Sequence, residues 1–221
     1  MGKSIAIDGP AGAGKSTIAK LVAKEMGFIY VDTGAMYRAM ALYLIRQGID
    51  RNDREGIEQA CEDADISISY ENGGQVVLLF GENVNDYLRT EEVGNMASMS
   101  SVNPKVREKL VALQQRLAAQ KDVVMDGRDI GTVVLPDSKC KIYLTASSPV
   151  RAKRRYDELV SKGEEADISK IEADIIERDH RDMTREHSPL KQAEDAVLID
   201  SSDLTIEEVK DAILAEAKKR L

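Results

Sequence analysis

Eight consecutive residues, Gly9-Pro10-Ala11-Gly12-Ala13-Gly14-Lys15-Ser16, constrain the possible folds of this chain more than any other stretch. They match G-x-x-x-x-G-K-[ST] at every fixed position, and they lie between an apolar run, Ile5-Ala6-Ile7, and an amphipathic segment from Thr17 to Met26. That strand, loop and helix order is the context the motif needs. Glycines let successive backbone N–H groups turn inward on phosphate oxygens, and a helix starting near Lys15 adds its positive end. Gly9 to Ser16, with Thr17 behind them, are expected to hold a nucleoside triphosphate. Lys15 would neutralise charge between the β- and γ-phosphates, and the Ser16 hydroxyl would ligate Mg2+.

The remaining apolar runs set the architecture. Phe28 to Val31, Val123 to Met125, Lys141 to Leu144 and Ala196 to Ile199 are short and β-rich, and they alternate with helical patterns at 104–119, 149–160 and 206–221. Ile206, Val209, Ile213, Ala217 and Leu221 recur at spacings of three and four, the mark of a helix with one buried face. Alternation of this kind predicts an α/β fold: a parallel five-stranded sheet flanked by helices. Ser148-Pro149 is expected to cap and open the helix after the fourth strand.

One stretch departs from the alternation. Ile66 to Tyr70 and Gln75 to Phe80 flank Asn72-Gly73, a dipeptide suited to a tight hairpin. The reading is therefore a core at 1–34 and 106–221 and an inserted lobe with an antiparallel hairpin at 35–105.

Charge and composition exclude several classes. A net charge of −8 leaves no broad basic surface for nucleic acid, so anion binding must be local. No apolar run approaches the ~18 residues that would cross a bilayer. The first residues show no basic and apolar leader, and Ala6 stands where a myristoylation pattern wants Ser or Thr. A cytoplasmic protein is expected. The two cysteines, Cys61 and Cys140, lie far apart, which suits reduced, structural thiols.

A phosphate loop serves switches, motors and kinases alike, so the reaction must be read elsewhere. No Asn-Lys-x-Asp occurs to read guanine, and the one Asp-x-x-Gly, Asp53 to Gly56, follows no strand. Arginines gather instead at Tyr37-Arg38, Arg107, Asp126-Gly127-Arg128-Asp129 and Arg178-Asp179-His180-Arg181-Asp182, with Arg185 following. Their planar, permanently charged forks suit phosphate. Arg151, Arg154 and Arg155 share one helix face, where a solvated surface paired with Asp157 and Glu158 explains them equally well. Asp126 ends a parallel strand, where open α/β sheets place ligands; it is a candidate Mg2+ ligand, with Asp32 a weaker one.

Ile5-Ala6-Ile7-Asp8-Gly9 through Ser16, Asp32-Thr33-Gly34-Ala35-Met36-Tyr37-Arg38, Asp126-Gly127-Arg128-Asp129-Ile130-Gly131-Thr132, Glu177 to Asp182 and Asp200-Ser201-Ser202 together resemble the bacterial cytidylate kinase family. The likeness spans nearly the whole chain and includes the enlarged insert. It implies that Arg38, Arg128 and Arg185 contact the acceptor phosphate, with Thr33 and Tyr37 beside them. It further implies that Arg178 and Asp182 hold the ribose, and that Ser98, Arg107 and Asp129 read cytosine. Thr33 keeps the hydroxyl of the serine that the family often has. The Arg151 to Arg155 helix would belong to a helical lid over ATP at about 150–170, with its tip at Ser161 to Glu165, and the protein would be a monomer. Hydrogen-bond logic agrees: cytosine offers an amine to a carboxylate such as Asp129, and two acceptors to donors such as Arg107 and Ser98.

The implied reaction transfers the γ-phosphate of ATP to CMP or dCMP, a step of pyrimidine metabolism, with Lys15, Arg128 and Arg185 as the catalytic cations. An anionic phosphate nucleophile needs no general base, so His180 and His187 need no catalytic role. Two alternatives stay open. A kinase of a small hydroxylated metabolite, shikimate-type, would want a positioned base, and a non-catalytic nucleotide sensor would not need the acceptor-side arginines.

Overall fold

The computed structural model describes residues 2–71 and 73–221. In chain order the elements are β1 (Ser4–Asp8), α1 (Lys15–Met26), β2 (Ile29–Asp32), α2 (Thr33–Arg46), α3 (Arg54–Asp63), β3 (Ile66–Glu71), β4 (Gly74–Leu79), β5 (Glu82–Asn83), α4 (Glu91–Ser100), α5 (Pro104–Gln120), β6 (Val123–Gly127), β7 (Cys140–Thr145), α6 (Ser148–Ser161), α7 (Ile168–Thr184), β8 (Val197–Asp200) and α8 (Ile206–Arg220). A single turn of π-helix, Ile130–Val134, follows β6. The expected α/β architecture is present, with a five-stranded sheet in the order β2-β6-β1-β7-β8 and a separate three-stranded sheet β3-β4-β5.

The chain divides into two compact units, one built from Tyr30–Lys121 and the other from Lys3–Ile29 with Asp122–Leu221. In the second unit, β1 pairs in parallel with β6 and β7, and β7 with β8. Ile5, Ala6, Ile7, Val124, Met125 and Leu144 are fully buried there. Such continuous apolar runs are what a parallel sheet covered on its faces demands. From β1 the sheet order runs one way to β6 and the other way to β7, so β1 is the switch point beyond whose end ligands sit in folds of this type. Helix α8 packs on α1 and β7 through Val209, Ile213, Leu214 and Ala217. A capping box between Thr205 and Glu208 opens it, satisfying two backbone donors that would otherwise be orphaned.

In the first unit, α2 packs on α3, α4, α5 and β4. The hairpin register runs from Ile66 opposite Leu79 to Glu71 opposite Gly74. Gly73 adopts φ 76°, while Asn72, expected to share that turn, lies outside the described residues. Asp53 of the Asp-x-x-Gly string caps α3, accepting from the Gly56 N–H at 2.9 Å, so that string serves a helix end. One expectation needs correction. Ser147, not Ser148, is the N-cap of α6, and it makes no side-chain cap bond; the Ser148 hydroxyl donates instead to Glu172 at 2.9 Å, because the first turn of α6 lies against α7.

Candidate active site

The phosphate loop leaves β1 at Asp8 and enters α1 at Lys15. Gly9, at φ 151°, passes so close to β7 that a Cβ there would lie 1.9 Å from the Leu144 carbonyl oxygen. Only glycine admits that approach. Gly12 and Gly14 take left-handed conformations, φ 76° and 84°, and the loop thereby curls around the N-terminus of α1. Lys15 is 6% exposed, and its ammonium donates to the Pro10 carbonyl at 2.6 Å. Burial, and then the nearby Arg128, push its pKa well below the usual lysine value. A buried cation under those pressures gains by meeting an anion. The Ser16 hydroxyl donates to the Asp126 carboxylate at 2.9 Å, so the loop serine and the end of β6 face each other.

Asp126, Gly127, Arg128 and Asp129 run off the end of β6, beside the start of the phosphate loop. Ile7 stands opposite Asp126 and Asp8 opposite Gly127 in the parallel register. The Arg128 guanidinium donates to Asp182 on α7 at 2.8 Å. Burial would raise the Asp182 pKa, but Arg128 holds it below the usual carboxylate value. Asp129 lies 4.0 Å from the Arg185 guanidinium, both side chains nearly buried. The candidate acceptor-phosphate arginines of this unit, Arg128 and Arg185, and the α7 residue Arg178 all act electrostatically on the Asp182 carboxylate.

The three arginines of α6 diverge. Arg151 is buried and donates to the Ala146 carbonyl at 2.8 Å, to the Ala11 carbonyl of the phosphate loop at 2.9 Å, and to Asp179 at 2.6 Å. Arg154 donates to the Ser201 carbonyl at 2.6 Å and hydroxyl at 3.2 Å, tying α6 to the Asp200-Ser201-Ser202 string. Arg155 is exposed and pairs with Glu158. Thr17 is exposed, as are His180 and His187.

In the other unit, Thr33 opens α2 and is buried. Asp32 caps that helix through the Ala35 N–H at 2.9 Å and pairs with Arg89 at 3.0 Å, which occupies the carboxylate that was the weaker metal candidate. A Cβ on Gly34 would come 3.2 Å from Arg38 Nη1, so the Arg38 head folds back over the first turn of α2. Arg107, on α5, lies over the Tyr37 ring with 5.6 Å to the centroid, a cation–π contact. Its Nη1 donates to the Ser101 carbonyl at 3.4 Å, and the Ser101 hydroxyl donates to the Ser98 carbonyl at 2.9 Å. Ser98, Arg107 and Tyr37 are therefore neighbours.

Cys61 and Cys140 are buried and unbridged, and burial pushes the Cys140 thiol up to about 11. Among the described residues no cluster of three or more His, Cys, Asp or Glu could hold a metal, and no helix is long and apolar enough to cross a membrane.

Three residues take structural roles here that sequence reasoning passed over. Asp8, 4% exposed, accepts the backbone N–H groups of Ile130 and Gly131 at 2.7 Å each. Burial raises its pKa to about 6 even against those bonds. Gln75, on β4, accepts from the Asp32 N–H at 2.8 Å and donates to the Asp32 carbonyl at 3.1 Å. Asp179 receives Arg151. Only Asp8 carried a signal, as a charge closing an apolar strand.

A family model described as cytidylate kinase matches residues 5–219. A curated cytidylate kinase of Caldicellulosiruptor saccharolyticus is 54% identical over 211 residues, 96% of this chain and 93% of that relative. Another, from Geobacter sp. strain M21, is 47% identical over 220 residues, 100% of this chain and 94% of that relative. Among solved structures, a gluconokinase from Sinorhizobium meliloti superposes with a TM-score of 0.50 at 14% identity, covering 98% of this chain and 92% of that one. That likeness concerns the fold alone.

Proposed function

The chain belongs to the cytidylate kinase family, and on that premise we propose that it transfers the γ-phosphate of ATP to CMP or dCMP, yielding ADP with CDP or dCDP. The observation that carries the reading is the register at the end of β1, where Asp8 faces Gly127. It sets the phosphate loop, with Lys15 and Ser16, beside the strand end that bears Arg128 and Asp129.

The chemistry follows from charge. A CMP phosphate oxygen is anionic at neutral pH and attacks the γ-phosphorus while the bond to the β-bridging oxygen breaks. Positioning and neutralisation carry the rate, without a base. Lys15 and the loop N–H groups hold the ATP phosphates; Arg128 and Arg185, together with Arg38, hold the acceptor phosphate. Arg178 and Asp182 serve the ribose. Asp129 takes the cytosine amine, and Arg107 and Ser98 donate to the ring acceptors, with Thr33 and Tyr37 beside Arg38. Arg154 and Arg155, on α6, serve the donor nucleotide.

Magnesium fits the residues present. The Ser16 hydroxyl and Asp126 carboxylate are hard oxygens 2.9 Å apart, and a Mg2+ held partly by nucleotide phosphates needs few protein ligands. When bound, the cation supplies neutralisation of the β- and γ-phosphate oxygens. The protein is proposed to act as a cytoplasmic monomer in pyrimidine nucleotide metabolism, a place suggested by the family resemblance.

Asp129→Ala tests the base-reading role. The expected result is a loss of kcat/KM for CMP of about tenfold or more, from an interaction of ~1–3 kcal/mol, with ATP affinity little changed. Equal losses toward both nucleotides would reject the role.

A further inference from the structure

Asp8 is joined covalently to Gly9, the first residue of the phosphate loop, and it grips the neighbouring chain twice. Its backbone pairs with Gly127 in the last register of the β1–β6 ladder. Its carboxylate then accepts the N–H groups of Ile130 and Gly131, through Oδ1 and Oδ2 respectively, at 2.7 Å each. The chain is thus fastened immediately before and immediately after Arg128 and Asp129 by one residue. Those two side chains are presented from a short span whose ends are both anchored to the start of the phosphate loop.

We infer that Asp8 is a positioning residue, which fixes the acceptor-side pair Arg128 and Asp129 in register with the phosphate loop; the inference rests on the roles proposed above for that pair. Two successive N–H groups form a concavity that favours an anion, and charged acceptors make the stronger bonds to such donors. Asp8 fills this concavity from inside the protein, so it does not compete for substrate phosphate. The packing around it is close. A Cβ on Gly131 would stand 3.3 Å from Asp8 Oδ2 and 3.2 Å from the Lys141 side chain. With both oxygens taken by backbone donors, the carboxylate acts through the turn and does not act as a base.

The test is a double-mutant cycle read in steady-state kinetics with ATP and CMP. Asp8→Asn keeps one accepting oxygen and sets an amide N–H against the other donor; Asp8→Ala keeps neither. Small misplacements of a reacting group lower rates by up to ~100-fold, so kcat should fall in the order wild type, Asn, Ala, reaching about that loss in Ala. The dissociation constant of a non-hydrolysable ATP analogue should move by less than about threefold, as expected where only the acceptor side has shifted. Because Asp8 acts through Arg128, Asp8→Asn in an Arg128→Ala background should lower kcat by only a small further factor, whereas unconnected sites would multiply. Gly131→Ala, which crowds the same carboxylate from the other side, gives a second route if Asp8→Ala does not fold; it should likewise lower kcat and spare ATP affinity. Fully multiplicative losses, or parallel losses in ATP affinity, overturn the inference while leaving the function intact. A wild-type protein that does not phosphorylate CMP overturns the functional reading instead.

Discussion

Arg151 offers a quantitative trial of how the phosphate loop is supported. Its guanidinium is 7% exposed at the side chain and paired with Asp179, itself 14% exposed. Among the described residues Asp179 Oδ1 has no hydrogen-bond partner; Asp179 acts on Arg128 through space, and its carboxylate is paired directly with Arg151. Arg151→Met keeps the aliphatic stem beside Gly12 and removes only the charged head. It would leave a buried carboxylate unpaired, together with the Ala11 and Ala146 carbonyls. Breaking one side of a buried pair destabilises by ~3–5 kcal/mol, equivalent in a chain of this size to a Tm lowered by roughly 6–20 °C. Removing both charges is far less damaging than removing one. The double variant Arg151→Met/Asp179→Asn should therefore recover at least ~1.5 kcal/mol relative to the sum of the singles. Urea unfolding followed by circular dichroism measures both quantities. If Arg151→Met unfolds at the wild-type urea concentration and only raises KM for ATP, Arg151 is a nucleotide ligand and the structural account of it is wrong. Strict additivity with Asp179→Asn would equally refute the pairing.

Two further expectations follow from buried groups. The Asp8 pKa is raised from 3.8 to about 6, so the native state holds this proton more tightly than the unfolded chain. Its contribution is most favourable below the unfolded value and declines as pH rises through the folded one, by ~3 kcal/mol at ~1.36 kcal/mol per pH unit. The stability difference between wild type and Asp8→Asn should shift toward the variant between pH 4 and 6.5, and a pH-independent difference would contradict the burial argument. Gly9→Ala puts a methyl 1.9 Å from the Leu144 carbonyl oxygen. The loop must move, so ATP-analogue binding should fall by at least about tenfold at a stability loss of ~1–3 kcal/mol; unchanged binding would show that this approach does not set the loop.

What could be read in advance has a physical boundary. The strands at Ile5, Val123 and Ile142 announced themselves because fully buried parallel strands need unbroken apolar runs, and α8 because its buried residues recur every three or four positions. The conformation of the loop between β1 and α1 was legible because Gly9, Gly12 and Gly14 stand where the backbone takes positive φ or passes close to β7. Less visible were features made by one residue reaching across the fold. Asp8 meets Ile130 and Gly131 from more than 120 positions away, and Gln75 grips the Asp32 backbone over 43. Neither contact leaves a local pattern. Arg151 and Arg155 looked alike in sequence, yet four positions along α6 separate a buried strap from a solvent-facing ion pair. The π-helical turn after Asp129 depends on the Asp8 carboxylate for two of its N–H groups, so its shape could not be read from Ile130 to Val134 alone.

Steady-state phosphoryl transfer from Mg-ATP to CMP, dCMP, UMP, AMP and shikimate in parallel decides whether the acceptor is a cytidine monophosphate. Transfer to CMP and dCMP should proceed with kcat/KM above that for UMP by on the order of ten- to a hundredfold, because in the proposed site uracil would set a carbonyl against Asp129. AMP and shikimate should give no appreciable product. Phosphorylation of shikimate, or use of UMP or AMP as efficiently as CMP, would contradict a cytidine monophosphate acceptor.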